Sequence, residues 1–347
     1  MIFRPPRVDL LALFPSFESA LFGGVQATGR QAWRAIAGRK MRAEAFFYES
    51  GAPKLPAVLR ALASRVRPDI VLVWHCGLLK LTPFIAASVP RRILFLHGIE
   101  AWRKHDAFTG AIMRKTDLFL SNSDHTWTRF AAFHPELAAA PHRTVHLGIG
   151  EPLGGPAPPP DETPAALMIG RMQRDESYKG HREMIQAWPR VAQSMPSAEL
   201  WIVGGGDLRP ELEQLTRSLG LTNSVRFFGA VPDDVKQDLI RRCRVLALPS
   251  AGEGFGLVYL EAMRIGRPCI VSTLDAGTEV VNPPEAGLAV NLADPAQIAD
   301  ATLRLLSPGP DWEQISARAK HRYESRFTAA HFEQRLLLAL FNASSNE

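Results

Sequence analysis

Short apolar runs alternate with longer amphipathic segments along the whole 347-residue chain. Short apolar runs bounded by turn residues are typical of buried strands, whereas an apolar face repeated every three to four residues is typical of a helix. Regular alternation of the two predicts an α/β protein with doubly wound parallel sheets. The predicted strands are Val8–Leu13, Ala45–Tyr48, Ile70–Trp74, Ile93–Leu96, Leu118–Ser121, Thr144–Leu147, Leu167–Gly170, Leu200–Val203, Val225–Phe228, Val245–Leu248, Cys269–Val271 and Gly287–Val290.

A proline-rich segment divides these strands into two sets of six. Residues 151–163, EPLGGPAPPPDET, hold five prolines and two glycines, and Pro164 follows directly. Proline cannot propagate a helix or a central strand, so we interpret this segment as a linker. The chain is also long enough for two cores. We therefore predict a Rossmann-like domain at 1–150 and a second at 164–328, with the amphipathic segment Ala329–Phe341 packing back on the first domain.

Composition restricts the compartment and the partners. Forty Lys and Arg against 35 Asp and Glu give a formal charge of +5, which suits phosphate ligands or anionic lipid. The basic residues are dispersed among acidic ones, which argues against nucleic acid as a partner. Cys76, Cys243 and Cys269 are odd in number and lie in or beside apolar runs, as expected of buried thiols in the cytoplasm. No apolar run is long enough to span a membrane, so we expect any membrane contact to be peripheral.

The strongest chemical signal is LPSAGEGFGLVYLEAM, residues 248–263. A predicted strand ends there, a loop carries Glu253, and a helix carries Glu261. Gly254 and Gly256 would let the backbone approach a ligand, and the start of the helix suits a phosphate. Carboxylates in the loop and one turn into the helix could accept hydrogen bonds from sugar hydroxyls. The plainer alternative is a turn glutamate and a solvent-facing helical one, but glycines at the carboxyl end of a strand favour a ligand site.

A second signal is MIGRMQRDESYKG, residues 168–180, in which Arg171 and Lys179 follow the first strand of the second domain. A diphosphate leaving group gains negative charge as its bond to a sugar breaks. Two fixed cations beside it would stabilise the transition state more than the ground state. The alternative is a pair of solvated loop cations.

Two kinds of cofactor site are not predicted. WIVGGGDL, residues 201–208, places glycines after a strand as a dinucleotide site would, but Arg209 stands where the last glycine of G-x-G-x-x-G belongs. The sequence also holds no H-E-x-x-H, no cysteine cluster and no aspartate pair of the kind that holds a divalent ion on a nucleotide sugar. We therefore expect neither a metal nor a nicotinamide or flavin cofactor.

The first domain offers three weaker signals. Gly23 and Gly24 lie between the first strand and the first helix, where backbone amides could face a ligand, although a tight turn explains them as well. His97 ends the strand ILFLH and would lie at the carboxyl edge of the sheet, as a ligand contact or as a structural histidine. Residues 30–42, RQAWRAIAGRKMR, hold five basic residues and no acidic one. They suit an interfacial helix at an anionic membrane, or an ordinary solvated helix face.

These residues together resemble a known family. The chain resembles the retaining glycosyltransferases of family 4, the group 1 glycosyltransferases, whose fold is called GT-B. The segment GEGFGLVYLEAMRIGRPCIVS is similar to that family's motif of two glutamates separated by seven residues. Other similar segments are MIGR, the KG of YKGH, FFGAVPDDV and DAGTEVV, although the loop from Arg171 to Lys179 is longer than in many members.

The resemblance implies a role for each matching position. Two Rossmann-like domains would face a cleft, with the acceptor entering from the first and the nucleotide sugar bound by the second. Arg171 and Lys179 would hold the diphosphate, Glu253 would face the donor sugar, and Glu261 the ribose. His97 matches the family's first-domain histidine. The remaining donor-binding positions are Gly23, Gly24, Gly229, Val231, Gly254, Phe255, Gly256, Leu257 and Thr278.

The predicted function is therefore transfer of a hexose, with retention, from a UDP- or GDP-sugar. The acceptor would be a saccharide or a lipid-linked molecule in bacterial surface polysaccharide or glycolipid synthesis, at the inner face of the membrane. Two alternatives stay open. A nucleotide-sugar epimerase of the same architecture would need acid and base groups on both faces of one sugar. A non-catalytic nucleotide-sugar binding protein would bind the donor without turnover.

Overall fold

The computed structural model describes residues 5–17, 23–49, 54–86 and 88–341, with only the backbone of Lys54 included. These residues form two compact units. The first comprises the chain up to Gly148 together with the segment from Ala329 onward, and the second runs from Ile149 to Thr328. Each unit is built around its own parallel sheet, as the alternation of apolar and amphipathic segments predicts.

The first unit contains a six-stranded parallel sheet in the order β2-β1-β3-β4-β5-β6. Its inner strands are buried on both faces, which explains their continuous apolar runs. The strands are β1 (Arg7–Pro15), β2 (Ala43–Tyr48), β3 (Arg67–Val73), β4 (Arg91–Leu96), β5 (Leu118–Ser121) and β6 (His142–Thr144).

The helices of the first unit connect these strands. They are α1 (Gly24–Ala37), α2 (Lys54–Ala63), α3 (Thr82–Ile85), α4 (Ala107–Met113) and α5 (Asp124–Phe133), with 3₁₀-helices at Cys76–Leu81 and Pro135–Leu137. The C-terminal helix α13 (Ala329–Phe341) also belongs to this unit, where Gln31 of α1 donates a hydrogen bond to the carbonyl of Ala329. The ring of Phe332 contacts that of Trp74 with centroids 6.4 Å apart.

The second unit contains a six-stranded parallel sheet in the order β12-β11-β10-β7-β8-β9. The strands are β7 (Ala165–Ile169), β8 (Glu199–Val203), β9 (Val225–Gly229), β10 (Val245–Ala247), β11 (Cys269–Ser272) and β12 (Gly287–Val290). The helices are α6 (His181–Ser194), α7 (Arg209–Ser218), α8 (Asp233–Arg242), α9 (Leu257–Arg264), α10 (Gly277–Val281), α11 (Pro295–Leu306) and α12 (Pro310–Arg326), with a 3₁₀-helix at Arg174–Lys179.

The proline-rich segment 151–163 lies within the second unit rather than between the two. Its backbone is held by side chains of that unit. The buried guanidinium of Arg267 donates to the carbonyl of Pro158 at 2.8 Å, and Arg264 donates to the carbonyl of Glu151 at 2.9 Å. The chain passes between the units at Gly148–Ile149, before the prolines begin. Proline stops regular structure here, but it does not mark the boundary.

The fold class and eleven of the twelve predicted strands are confirmed, and the twelfth is misplaced. The sequence predicts Thr144–Leu147, whereas β6 ends at Thr144. Its partner β5 ends at Ser121, which pairs with Thr144, so the ladder has no further residue to extend along. Val145 and Leu147 are buried all the same, which is why their apolar character suggested a strand.

Candidate functional site

The second sheet reverses its strand order between β7 and β10. From β7 the chain moves outward through β8 and β9, and then returns to place β10 on the other side of β7. In open parallel sheets, ligands bind at such a reversal, beyond the carboxyl ends of the two strands. The loops that follow β7 and β10 carry Arg171 with Lys179 and Glu253 with Gly256, respectively. The topology therefore gathers the strongest sequence signals of the second domain at one edge.

The glycines of WIVGGGDL support the loop after β7. A Cβ at Gly204 would lie 1.9 Å from the carbonyl oxygen of Gly170, and one at Gly206 would lie 2.1 Å from that of Met172. The amide of Met172 donates to the carbonyl of Gly205 at 2.8 Å. Close backbone packing explains these glycines, and their effect is to fix the start of the loop that carries Arg171.

The end of the same loop is joined to the loop after β10. A Cβ at Gly180 would lie 2.2 Å from the carbonyl oxygen of Pro249, and one at Gly252 would lie 2.6 Å from the ring of Tyr178. The amide of Ala251 donates to the carbonyl of Tyr178 at 2.8 Å. These contacts hold Lys179 next to Glu253, although the two residues are far apart in sequence.

Four charged side chains meet where the loops join. The ammonium Nζ of Lys179 lies 3.5 Å from Oε2 of Glu253 and 3.8 Å from Oε2 of Glu176. The other oxygen of Glu176 accepts a hydrogen bond from the guanidinium of Arg171. Lys179, Glu176 and Glu253 are mostly buried, whereas the Arg171 side chain is 66% exposed. Two cations and two carboxylates thus form one cluster at the reversal point.

Helix α9 begins beside this cluster. Gly256 precedes it with φ of 85°, and a Cβ there would lie 2.3 Å from the ring of Tyr259. Tyr259 is fully buried and donates to the carbonyl of Leu248 at 2.8 Å, so the turn is rigid. Among the described residues, no side chain caps α9 and no acidic residue occupies its first turn. The amide of Leu257 therefore stands at the positive end of an uncapped helix, an arrangement that suits an anion.

A buried aspartate, Asp275, holds the backbone of the Glu253 loop through hydrogen bonds. Asp275 accepts hydrogen bonds from the amides of Glu253 at 3.2 Å and Gly277 at 2.8 Å. The amide of Ala276 returns a bond to the carbonyl of Glu253 at 3.2 Å. Burial raises the pKa of Asp275 to about 7. Thr278, predicted to bind the donor, lies in the next helix α10, and its hydroxyl donates to the carbonyl of Asp275.

Glu261 lies on α9 and pairs with a neighbouring helix. Its Oε1 accepts a hydrogen bond of 2.9 Å from Lys236 of α8, and that ammonium also lies 2.8 Å from Asp233. Burial raises the pKa of Glu261 even though Lys236 opposes the shift. The second oxygen, Oε2, is buried and has no hydrogen-bond partner among the described residues. A buried carboxylate oxygen without a donor is costly, so it is suited to a ligand hydroxyl.

Gly229 is the last residue of β9 and Val231 lies two residues after it, and β9 is separated from β7 at the reversal point by β8. Gly229 has φ of 75°, and a Cβ there would lie 2.9 Å from the guanidinium of Arg209. Arg209 itself pairs with Glu213 one turn along α7 at 2.7 Å. The glycine conformation and the close guanidinium explain why this turn requires glycine.

His97 lies in the first unit and is buried. Its Nε2 lies 2.7 Å from the carbonyl oxygen of Trp74, and since a carbonyl only accepts, Nε2 carries the proton. Burial lowers the pKa of His97 to about 4, so the ring is neutral at pH 7. Its ring also stacks on Phe95 with centroids 4.7 Å apart. Only Nδ1 is left to meet a ligand.

Gly23 and Gly24 begin α1, also in the first unit. The amide of Gly23 donates to the side chain of Gln26 at 3.1 Å, and Gly23 has an extended conformation. The basic segment 30–42 runs along α1 and beyond it, with Arg30 and Arg34 exposed, whereas Ala32 and Ile36 are fully buried. The apolar side of this helix therefore packs inward, as on an ordinary solvated helix.

Sequence reasoning missed three residues that complete the site. Glu176 joins the two cations, Lys236 pairs with Glu261, and Asp275 holds the Glu253 loop. Glu176 lies in MQRDESY and Asp275 in DAGTEVV, two segments that the sequence singles out, and Lys236 directly follows a third, FFGAVPDDV. The sequence shows that these three residues are charged, but it does not show which residues they contact.

The described residues hold no group of three or more His, Cys, Asp or Glu side chains arranged to bind a metal ion. Within the same residues, every helix is too short or too polar to cross a bilayer.

Residues 163–308, within the second unit, match the family model described as Glycosyl transferases group 1. Phosphatidyl-myo-inositol mannosyltransferase of Mycobacterium leprae is 38% identical over 141 residues, which is 40% of this chain and 36% of that protein. The chain spans less than half the length of the curated relatives that it matches.

Two solved structures are similar along nearly the whole chain. The Anabaena HepE protein in complex with UDP superposes with a TM-score of 0.73 at 18% identity, covering 96% of this chain and 99% of that one. Sucrose-phosphate synthase from Thermosynechococcus elongatus superposes with a TM-score of 0.74 at 19% identity, covering 94% and 96%. At such low identity these similarities show the fold, which is GT-B.

Proposed function

We propose that the chain is a retaining glycosyltransferase of family 4 that transfers a hexose from a UDP- or GDP-sugar to a saccharide or lipid-linked acceptor. The family match in residues 163–308 and the similarity to a mannosyltransferase support glycosyl transfer as the reaction class. The UDP in the HepE structure supports a nucleotide-diphosphate donor.

One observation carries the proposal: Lys179, Glu253 and the uncapped start of α9 meet at the strand-order reversal of the second sheet. Lys179 and the helix start supply positive charge for a diphosphate, and the exposed guanidinium of Arg171 can turn from Glu176 onto the same group. Glu253 would then face the donor sugar. Glu261 would accept a hydrogen bond from the ribose. Thr278 and the backbone of residues 254–257 would contact the phosphates and the sugar, and Gly229 with Val231 would contact the nucleobase.

The proposed reaction uses no protein nucleophile. The acceptor hydroxyl attacks the anomeric carbon on the face from which the diphosphate departs. As the new carbon–oxygen bond forms and the bond to the phosphate breaks, the hydroxyl proton passes to a phosphate oxygen, leaving a nucleoside diphosphate. Charge builds on that phosphate in the transition state, where Arg171 and Lys179 contribute most. The proposal requires no metal or other cofactor, and gives neutral His97 a contact to the donor or acceptor.

We place the reaction in the cytoplasm, at the inner face of the membrane, in surface polysaccharide or glycolipid synthesis. The sequence suggests residues 30–42 as the membrane contact, but α1 buries its apolar side, so we propose α2 for this contact instead. On α2, Leu55, Leu59 and Leu62 are all exposed at helical spacing. Residues 54–68 hold four basic residues and no acidic one, which suits an anionic lipid surface.

A thermal-shift panel followed by a turnover assay tests this function. A ligand at about 100 times its Kd adds about 2.7 kcal/mol of stability, so UDP, GDP or one of their sugars should raise the Tm clearly. The stabilising sugar should then release nucleoside diphosphate when an acceptor is added. Epimerised donor without acceptor would favour the epimerase, and stabilisation without turnover against a broad acceptor panel would favour the binding protein.

A further inference from the structure

Lys236 on α8 is a cation that the proposed reaction does not use. Its ammonium is mostly buried and has two carboxylate partners: Oδ1 of Asp233 at 2.8 Å and Oε1 of Glu261 at 2.9 Å. Burial lowers the pKa of Lys236, but the two carboxylates raise it by more than that. The net shift is upward, so the ammonium stays charged. Asp233 is exposed and lies three residues earlier on the same helix, so it anchors Lys236.

The pairing leaves the two oxygens of Glu261 unequal. Oε1 is occupied by Lys236, whereas Oε2 is buried and lacks a donor among the described residues. An ionised carboxylate can only accept hydrogen bonds, and a bond to an ionised acceptor is roughly twice as strong as a neutral one. The group that completes Oε2 must therefore be a donor, such as a hydroxyl.

We infer that Lys236 is a positioning residue that orients Glu261 so that Oε2 accepts from a ribose hydroxyl, which makes the site selective for ribonucleotides over 2′-deoxyribonucleotides. This inference rests on the proposed function, because it takes the nucleotide to lie at Glu261. A site built to bond a hydroxyl rejects the analogue that lacks it, because the buried oxygen is then left without a partner.

Removal of Lys236 has a pH signature that a purely structural role would lack. The charged and titratable groups that act on Glu261 are Lys236, which lowers its pKa, and Asp233, which raises it. Without the ammonium, burial and Asp233 both favour protonated Glu261. The affinity lost in a Lys236→Met variant should therefore be greatest at acidic pH and should partly return as the pH rises.

The experiment measures the Kd of UDP, GDP and their 2′-deoxy analogues by calorimetry from pH 6 to 9. We expect the wild type to prefer the ribonucleotide about tenfold or more, and Lys236→Met to weaken its binding by a similar factor and to lose the preference. Lys236→Arg should retain both the affinity for the ribonucleotide and the preference for it over the 2′-deoxy analogue. Arg241→Met is the matched control, because Arg241 lies on the same helix and pairs with Asp238 three residues earlier, not with Glu261.

The outcomes separate this inference from the proposed function. If the wild type binds no nucleoside diphosphate, the proposed function and the inference both fail. If the wild type binds but Lys236→Met keeps the affinity, the ribose preference and the pH profile, only the inference fails. Should Lys236→Met fold poorly by its Tm, Lys236→Gln provides the neutral variant, and the same losses are expected of it.

Discussion

The ammonium of Lys179 lies 3.5 Å from the carboxylate of Glu253, although 74 positions separate them in the chain. The contact joins the loops on either side of the strand-order reversal. Lys179 also lies 3.8 Å from Glu176, and its side chain is only 15% exposed, so the two carboxylates hold its ammonium in the site. Lys179 is therefore the first residue whose removal should affect a bound diphosphate.

We predict that Lys179→Met weakens UDP or GDP binding by about tenfold or more and lowers kcat on the order of 10². The variant loses one charge-assisted contact in the ground state and more as charge develops on the leaving group. Calorimetry and steady-state kinetics measure the two effects, and the Tm shows whether the variant is folded. A folded variant with wild-type kcat would remove Lys179 from the mechanism.

Arg171 and Arg174 offer a matched comparison. Both lie in the loop after β7, with side chains 66% and 60% exposed, and both are paired with carboxylates. Only Arg171 contacts Glu176 of the charged cluster, whereas Arg174 pairs with Glu211 on α7 and lies near Asp207. Arg171→Ala should lower kcat on the order of 10², and Arg174→Ala should leave it nearly unchanged. Equal losses in both variants would indicate a general effect on the loop.

Gly256 should not tolerate a side chain. Its φ of 85° strains any other residue, and a Cβ would lie 2.3 Å from the ring of buried Tyr259. We expect Gly256→Ala to cost about 2 kcal/mol of the free energy of unfolding and to weaken nucleotide binding. Gly154→Ala is the control, because a Cβ there meets nothing within 4 Å among the described residues. Equal free energies of unfolding for the two variants, from urea titrations, would contradict the account.

Asp275 should make the free energy of unfolding fall as the pH rises. Burial raises its pKa in the folded protein from 3.8 to about 7, so the folded state holds a proton that the unfolded state loses above about pH 4. Protonated Asp275 therefore adds on the order of 4 kcal/mol to the free energy of unfolding below pH 4, and this contribution is lost as the pH rises to 7. In urea titrations, the wild type should lose stability relative to Asp275→Asn between pH 5 and pH 8. A difference that stays constant would contradict the shift.

We predict that the exposed leucines of α2 bind anionic membranes. Vesicles containing phosphatidylglycerol should sediment the wild type more strongly than phosphatidylcholine vesicles do, and a Leu55→Ser and Leu59→Ser double variant should lose most of that binding. Leu338→Ser on α13 is the control, since Leu338 is also exposed, at 47%, but lies on another helix. Unchanged sedimentation of the double variant would exclude α2 as the contact.

The strands could be predicted from the sequence because burial on both faces produces apolar runs. Such runs can be recognised without knowing which strands pair with each other. Strand β6 shows the limit of this rule: Val145 and Leu147 are buried although they lie beyond Thr144, the last residue of β6 in register with β5, and the end of β5 decides where the ladder stops. The proline-rich segment shows a second limit. Its prolines exclude regular structure, but the contacts of Arg264 and Arg267 place it within the second unit.

For the site, the sequence predicted residues that lie in recognisable motifs, but not the side chains that hold them. Asp275 meets Glu253 across 22 positions, and Lys236 meets Glu261 across 25. Such contacts depend on how a loop or helix is oriented against its neighbour, which periodicity does not specify. The triple glycine after β8 packs against the carbonyls of Gly170 and Met172 and so supports the Arg171 loop, a contact that the sequence pattern alone does not specify.

A crystal structure of the protein with UDP or GDP tests the central claim most directly. We expect the diphosphate within hydrogen-bond distance of Lys179 Nζ and the amide of Leu257, and a ribose hydroxyl within that distance of Oε2 of Glu261. A nucleotide bound elsewhere in the protein, or one that leaves Lys179 and α9 without contact, would contradict it.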